Sequence, residues 1–522
     1  MRGRRAEHRP SSSPFRKLRR VVISLLAACV AAGASAQDRP SLVSAVIRGS
    51  TAYTAPELFA AYGDQLGRPI SVESARAIAT RIAAQYTEDG YSRPGVEIDD
   101  RMSGAGVLVF EVIETRISAI EISGDPGPYE RELESIGSRV NGAAPLRTAD
   151  LQSAVRRMRD LPGLRLTAST SRDADLPGAY RLSLDTEFTP VSGTLRLSNR
   201  GTDEIGPDFL LGQTTLNGML SGRASLGVLF GTTLEFDEYH GLGLNGSFRP
   251  AGRRFSIQAL GFRSRSDPRE RVVDRDDRYR RDRATFGATL PLHDSASRRV
   301  LLTTSLRAED LAIDRERARL RDERLRLVEL GARWIETTSP STQFALSAEL
   351  VQGIDAMGSG LRADDLAADQ RRADFTILLL DYVRHAELGG PWSFRLNALG
   401  QYTSAVAPYT ERFKIGGDRL GRGFEVAEIS GDRGLGARVE MLRRISALQT
   451  PAGPVSFYFT YDLAGAWKND RPGRESAATG GLGLVLNGRA MSGRIEVAKP
   501  LTHPDVEGRE DVSVFVELSY RW

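Results

Sequence analysis

The end of the chain alternates without a break. Val512, Val514, Val516, Leu518, Tyr520 and Trp522 share one parity, and Ser513, Phe515, Glu517, Ser519 and Arg521 share the other. A period of two belongs to a strand, and a strand with lipid on one face and water on the other needs this dyad. The terminal aromatics Tyr520 and Trp522 suit the interfacial girdle of a membrane barrel. Similar segments recur from Pro190 onward, near 193–199, 208–216, 223–230, 241–248, 254–263, 283–291, 299–308, 323–336, 343–352, 373–384, 392–403, 434–445, 455–467, 477–487, 491–499 and 512–522. That is about 16 strands, and single-chain bacterial barrels have an even number. The connections 264–282, 309–322, 353–372 and 404–433 are long and charged, whereas Arg249–Arg253, Leu388–Pro391 and Ala447–Gly453 are short. This alternation predicts outer loops and periplasmic turns, with the N-terminal domains and the C-terminus in the periplasm.

Before Pro190 the periodicity is mixed. Leu42–Ile47 reads as a strand, Thr54-Ala-Pro-Glu57 as a capping box opening a helix, and Ser71–Asp89 as a helix with Ala75, Ile78, Ala79, Ile82 and Tyr86 on one face. Strands Pro94–Ile98 and Val107–Ile113 follow. The same order returns as strand Ile117–Ile122, helices Glu130–Val140 and Thr148–Leu161, and strands Leu164–Ser169 and Tyr180–Thr186, with Leu151, Val155 and Met158 as the second helix's buried stripe. Two similar α+β domains in tandem are expected, at 41–115 and 116–188, before an antiparallel transmembrane β-barrel at 191–522.

Charge revises the first impression of a basic protein. Residues 1–36 hold Arg2, Arg4, Arg5, Arg9, Arg16, Lys17, Arg19 and Arg20 against Glu7, so the formal +4 becomes about −3 without them. They have the form of a secretory signal, with an apolar stretch Val21–Ala34 and a cleavage site Ala34-Ser35-Ala36. Leu26-Ala27-Ala28-Cys29 resembles a lipoprotein box, leaving open lipidation at Cys29 or cleavage after Ala36. Cys29 is the only cysteine, so no disulfide framework is available. Past the leader no apolar run reaches about 18 residues, and a membrane span would therefore require a closed barrel.

The densest cluster of glycine and charge is Phe413–Glu440. Glycines 416, 417, 421, 423, 431, 434 and 436 allow the backbone to double back, and Asp418, Arg419, Arg422, Asp432 and Arg433 supply charge. Such a stretch between two strands reads as a loop, 404–433, folded into the lumen.

Tandem α+β domains, a barrel, Gly416-Gly417, and Leu420-Gly421-Arg422-Gly423-Phe424 together resemble the two-partner secretion transporters of the ShlB/FhaC/HecB hemolysin secretion/activation family. Gly431-Asp432-Arg433-Gly434 and Arg438-Val439-Glu440 match the family's continuation into the next strand. Tyr86, Gly90-Tyr91, Val96 and Phe110-Glu111-Val112-Ile113-Glu114 resemble its first polypeptide-transport-associated (POTRA) domain. The resemblance implies that Arg422 pairs with an inward aspartate. The candidate is Asp462, because Val455, Phe457, Phe459, Tyr461 and Leu463 alternate as its strand's lipid face. Gly421 replaces the family's usual valine, and Thr460 departs from the Phe or Gly usual before x-Asp. The short lead from Gln37 to Leu42 leaves no room for the N-terminal plug helix of some relatives.

The expected function is an outer-membrane pore that takes a large hemolysin- or adhesin-like exoprotein to the cell surface, with POTRA domains in the periplasm binding that partner. Outer-membrane lipid and the barrel assembly machinery are the other partners implied. The alternative is an assembly factor inserting proteins or lipids, since insertases of the superfamily share the loop motif. No enzyme activity, cofactor, metal or nucleic-acid partner is expected. Gly241–Gly246 fits G-x-G-x-x-G without a following helix, no G-K-[ST], H-E-x-x-H or G-x-S-x-G occurs, and the arginines of 263–283 alternate with acids as in a solvated loop.

Overall fold

The computed structural model describes residues 40–99, 101, 105–202, 205–236, 238–268, 277–295, 297–315, 318–339, 342–363, 371–502 and 512–522. The leader 1–36, its cleavage site and Cys29 lie outside these residues. By its contacts the chain divides into two compact units. One is Met1–Arg116 with Ala144–Arg147 and Asp173–Ala179, and the other comprises Ile117–Ala143, Thr148–Arg172 and Tyr180–Trp522.

In the first unit, β1 (Ser44–Arg48) runs parallel to β3 (Val107–Ile113), and β2 (Gly95–Asp99) is antiparallel to β3 on its other side. Helix α1 (Val72–Glu88) starts at Ser71, whose Oγ accepts the Ser74 N–H at 3.0 Å while Ser74 Oγ accepts the Ser71 N–H at 2.9 Å. Ile78, Ile82 and Tyr86 bury its apolar face against Leu108, Phe110 and Val112. Each such side chain contributes roughly 1.5–3 kcal/mol by leaving water. The Glu114 carboxylate closes this core, accepting hydrogen bonds from the N–H groups of Thr51 (2.7 Å) and Ala52 (3.0 Å) and the Tyr86 hydroxyl (2.8 Å). The helix expected to open at Thr54 does not form. Glu57 does cap Thr54 N–H at 2.7 Å, but the segment closes into turns and the short 3₁₀ helices Phe59–Ala61 and Gly63–Gln65.

The second unit opens with β4 (Arg116–Asp125), α2 (Glu130–Gly137), α3 (Thr148–Arg159), β5 (Leu164–Arg172) and β6 (Ala179–Phe188), in sheet order β4-β6-β5. This is the order of the first sheet again. Met158 is fully buried, with Leu133, Leu182 and Leu184 also in the core.

The barrel strands are β7 (Val191–Ser198), β8 (Phe209–Gly218), β9 (Ala224–Thr233), β10 (Tyr239–Phe248), β11 (Ser256–Ser266), β12 (Asp277–Asp294), β13 (Arg298–Arg315), β14 (Ala318–Ser339) and β15 (Thr342–Gly353). A short β16 (Gly360–Ala363) adds to β14. Then come β17 (Thr376–Gly389), β18 (Trp392–Tyr402), the loop strands β19 (Phe413–Ile415) and β20 (Ile429–Gly431), and β21 (Arg433–Thr450), β22 (Gly453–Trp467), β23 (Glu475–Asn487), β24 (Met491–Pro500) and β25 (Ser513–Arg521). Sixteen long antiparallel strands close the ring where β25 pairs with β7. All sixteen fall on the alternating segments of the sequence.

Charged residues mislead at two connections. The arginines of 263–283, expected in a solvated loop, lie partly in strands, since β11 runs to Ser266 and β12 starts at Asp277, and Arg281 and Arg283 pair with the buried Glu309. The expected loop 309–322 is mostly strand, because β13 and β14 run on as a ribbon to residues 315 and 318. Paired charges permit this, as between Arg326 and Asp310 at 2.7 Å.

The outer face is apolar, as membrane contact demands. Val512, Val514, Val516, Leu518, Tyr520 and Trp522 are all 42–55 % exposed, while Ser519 on the opposite parity is buried. Phe459, Tyr461 and Leu463 likewise point outward, but Val455, expected with them, is buried.

Candidate functional site: the lumenal loop and its seat

Between β18 and β21 the chain folds into the barrel and returns. Its strands β19 and β20 form a two-stranded hairpin, Phe413 opposite Gly431 and Ile415 opposite Ile429. Phe413, Ile415, Leu420, Phe424 and Ile429 pack on Ala464 and Ala466 of β22 and Ala477 of β23. Alanines and glycines on the wall make room for this: the Phe413 ring lies where a Cβ on Gly434 would be, 1.9 Å from it. Gly416 has φ of 113°, and a Cβ there would stand 1.7 Å from the Glu425 carbonyl oxygen. Only glycine fits. The tight bend is then closed by the N–H of Gly416 donating to Leu420 O at 2.9 Å and that of Gly417 donating to Phe424 O at 3.3 Å. Gly423 approaches Pro500 of β24, whose nitrogen would be 2.8 Å from an added Cβ.

The expected side-chain pair between Arg422 and Asp462 does not form. Asp462 lies directly opposite Arg438 in the β21–β22 register, so their side chains share a face and Arg438 takes the carboxylate through Nε and Nη2, both at 2.7 Å. The loop reaches Asp462 through its backbone: the N–H groups of Gly421 (2.7 Å) and Arg422 (3.1 Å) donate to Oδ2. The Arg422 guanidinium continues across the wall to Glu440 of β21 at 2.9 Å and Glu496 of β24 at 2.5 Å. Both glutamates are almost wholly buried.

Further groups complete the seat. Arg395 of β18, opposite Glu440 in register, pairs with it at 3.0 Å, and Arg494 does so at 3.2 Å. Arg200 pairs with Glu496 at 2.8 Å and with Asp418 of the loop at 2.9 Å, and the Tyr458 hydroxyl donates to Glu496. Glu496, Arg494, Arg395, Arg200 and Tyr458 are additions to the residues expected from sequence. A signal for two of them existed: in β24, Met491, Gly493, Ile495 and Val497 alternate with Ser492, Arg494, Glu496 and Ala498, which puts the charges inside.

At the base of the loop Asp432 is fully buried. It staples the two ends by accepting the N–H of Ala407 at 2.8 Å and of Asn469 at 2.6 Å, next to Gly431. On the far side Arg307 pairs with Glu411 at 2.9 Å and Glu323 accepts the Tyr409 N–H at 2.9 Å. The loop thus has an apolar underside, a charged tip and a hydrogen-bonded base, and all three must give way together for it to leave.

A closed sixteen-strand barrel with such a loop in its lumen, preceded by α+β domains, defines an outer-membrane protein of the Omp85 superfamily. Residues 185–486 match the family described as "Haemolysin secretion/activation protein ShlB/FhaC/HecB", and the chain belongs to it. It is an outer-membrane transporter of the two-partner secretion type, which secretes a partner protein. Among curated proteins it is 22 % identical over 459 residues to "Outer membrane transporter CdiB" of Dickeya dadantii (strain 3937), covering 84 % of this chain and 79 % of that one. Among solved structures, CdiB from Escherichia coli superposes with a TM-score of 0.74 at 18 % identity, over 92 % of this chain and 90 % of the other. CdiB from Acinetobacter baumannii gives 0.64 at 14 % identity over 98 % of both. BamA from Haemophilus ducreyi lacking POTRA domains 1–3 gives 0.52 at 13 % identity, over 93 % of this chain and all of that one.

Proposed function

We propose that this transporter captures a large hemolysin- or adhesin-like exoprotein in the periplasm through two POTRA domains, residues 41–115 and 116–188, and passes it through the barrel as loop 404–433 yields. The observation that carries the reading is the seat of that loop: a plug held by reversible ion pairs and small-residue packing can be displaced without unfolding the wall. Among the described residues each domain's three-stranded sheet has two edge strands, β1 and β2 in the first and β4 and β5 in the second, β4 being bridged to Asn141 at Ile117. Beside β5, Leu151 and Val155 of α3 line a groove with Ala168. An extended segment can add to such an edge, gaining main-chain hydrogen bonds, with alternate side chains entering the groove. Outer-membrane lipid would surround the apolar band, and the barrel assembly machinery would insert it. Transport in this reading is passive, with folding at the cell surface opposing return.

Culture supernatants test the proposal in three strains: intact, gene-deleted, and complemented with Arg422→Ala at equal outer-membrane level. The expected result is one large protein that disappears on deletion and changes in amount with the substitution. Unchanged supernatants with depleted outer-membrane barrels would replace secretion with the assembly-factor alternative.

A further inference from the structure

A cavity of about 260 Å³ lies between α2 and α3 on one side and the ends of β11, β12 and β13 on the other, with the 249–255 turn at its rim. Its barrel wall is the lumenal face. Thr289 and Pro291 line it, whereas the alternate residues Leu290 and Leu292 point outward and are 38 % and 58 % exposed. This is also the end of the barrel at which β6 leads into β7, so the cavity stands at the mouth on the N-terminal side.

Six arginines line the cavity against three acids, Glu132, Asp160 and Asp294, and the two aspartates are already engaged. Arg299 pairs with Asp160 and lies 3.6 Å from Asp294, which Arg156 also reaches at 3.3 Å. Arg139, Arg157, Arg253 and Arg254 line the same space without a carboxylate at salt-bridge distance among the described residues. Arg157 is the most constrained. Its Nε is buried without a hydrogen-bond partner, and burial together with the like charges of Arg139 and Arg254 pushes its pKa down, outweighing the opposite pull of Asp294 and Glu132. Gathering cations with unused donors in a recess is unfavourable until an anion completes it.

We infer that this recess binds the carboxylate side chains of an acidic stretch of the secreted polypeptide as it enters the barrel. The inference rests on the secretion reading above and names the chemistry of the segment that is read first. A carboxylate matches the paired donors of a guanidinium, and several arginines on a concave surface suit a run of acids. The lumenal wall favours a solute in the pore over a lipid headgroup, which would meet the outward-facing leucines. Attraction at the mouth also raises the rate of encounter and makes it salt-sensitive.

The test uses the full chain in lipid nanodiscs and a fluorescein-labelled hexaglutamate peptide, with hexaglutamine as its neutral counterpart, followed by fluorescence anisotropy. The expected result is binding of hexaglutamate at least tenfold tighter than hexaglutamine. Arg157→Gln with Arg254→Gln should weaken it at least tenfold, and Arg157→Lys with Arg254→Lys, which keeps the charge but not the paired donors, should restore only part of it. Heat-modifiable gel mobility verifies that each variant keeps a folded barrel. Equal binding of the two peptides, indifference to the glutamine changes, or equal displacement by short-chain phosphatidylglycerol would overturn the inference, the last by making it a phosphate-headgroup site. Secretion separates the two levels. If the gene is needed for export but the glutamine variant neither binds peptide less tightly nor exports less, only this inference fails. If deletion of the gene leaves export intact, the secretion reading fails by itself.

Discussion

The first α+β domain and the barrel lumen are both filled, but by opposite chemistry. In the domain, Ile78, Ile82, Leu108 and Phe110 exclude water around one helix and one sheet, with the buried acid Glu114 held by neutral donors. In the lumen the wall of β21, β22 and β24 is lined by Arg438, Glu440, Asp462, Arg494 and Glu496, and the loop brings Arg422 to them. The difference follows from what lies outside. A soluble domain turns polar groups to water and keeps its apolar residues, whereas a barrel must spend its apolar face on lipid and fill its interior with the other parity. An apolar core resists opening in proportion to its area. A network of ion pairs holds one geometry but loses much of its preference once water enters. The domain is therefore held by buried apolar area, and the loop's charged tip by ion pairs with the lumenal wall.

Breaking the seat should have the largest effect. Asp462→Ala leaves Arg438 buried without its carboxylate, at about 3–5 kcal/mol for a charge stranded in this way. The N–H groups of Gly421 and Arg422 lose their acceptor as well, at roughly 1–3 kcal/mol each where water cannot replace it. In planar bilayers the variant is expected to show frequent large openings where the parent is mostly closed; parent-like closure would mean the apolar underside alone retains the loop.

The apolar core comes next. Phe110→Ala should cost about 3–5 kcal/mol, enough to unfold much of a small domain while leaving the barrel intact. Limited proteolysis of the full chain in urea should then cut within residues 41–116 at lower denaturant, with heat-modifiable barrel mobility preserved. Simultaneous loss of both would contradict two separately stabilised regions.

A smaller effect distinguishes how the two regions respond to acid. Burial opposes ionisation of Glu114, yet the hydrogen bonds from Thr51, Tyr86 and Ala52 outweigh it and hold the carboxyl below its ordinary value of 4.5. A carboxyl depressed in the native state adds stability that is present above its unfolded pKa and is lost as pH falls through the native one. Proteolytic resistance of the domain should therefore decline below about pH 4.5, and Glu114→Gln should flatten that decline while lowering resistance at pH 7. An unchanged pH profile in the variant would assign the acid sensitivity elsewhere.

The smallest effect is expected at Asp99, whose carboxyl the Arg101 guanidinium lowers to about 2. The pair is solvent-exposed, and water and salt screen it. Arg101→Ala should leave the same proteolysis curve unmoved, and a clear shift would show that the β2 end is more enclosed than it is here.

Strand positions were legible because parity is local: sixteen alternating segments became sixteen strands, and the segment Ser71–Asp89 became α1. The loop was legible because Gly416-Gly417 and Arg422-Gly423 are compositionally unlike anything around them. The failures share a cause. Thr54–Glu57 has the local chemistry of a helix start but closes into turns packed on the sheet, and charged 309–322 reads as a loop although its charges pair across a ribbon.

Sequence alone thus determined the barrel, its strand number, the tandem α+β units and the identity of the inward loop, since each depends on residues close together along the chain. Tertiary structure decided which charge meets which. Parity places Arg438, Glu440, Asp462 and Glu496 on the lumenal face, but only register sets Arg438 opposite Asp462, and only the path of the loop carries Arg422 to Glu496, 74 residues away. Coulomb attraction is indifferent to sequence separation, and a guanidinium pairs with the carboxylates that the folded backbone puts within its reach.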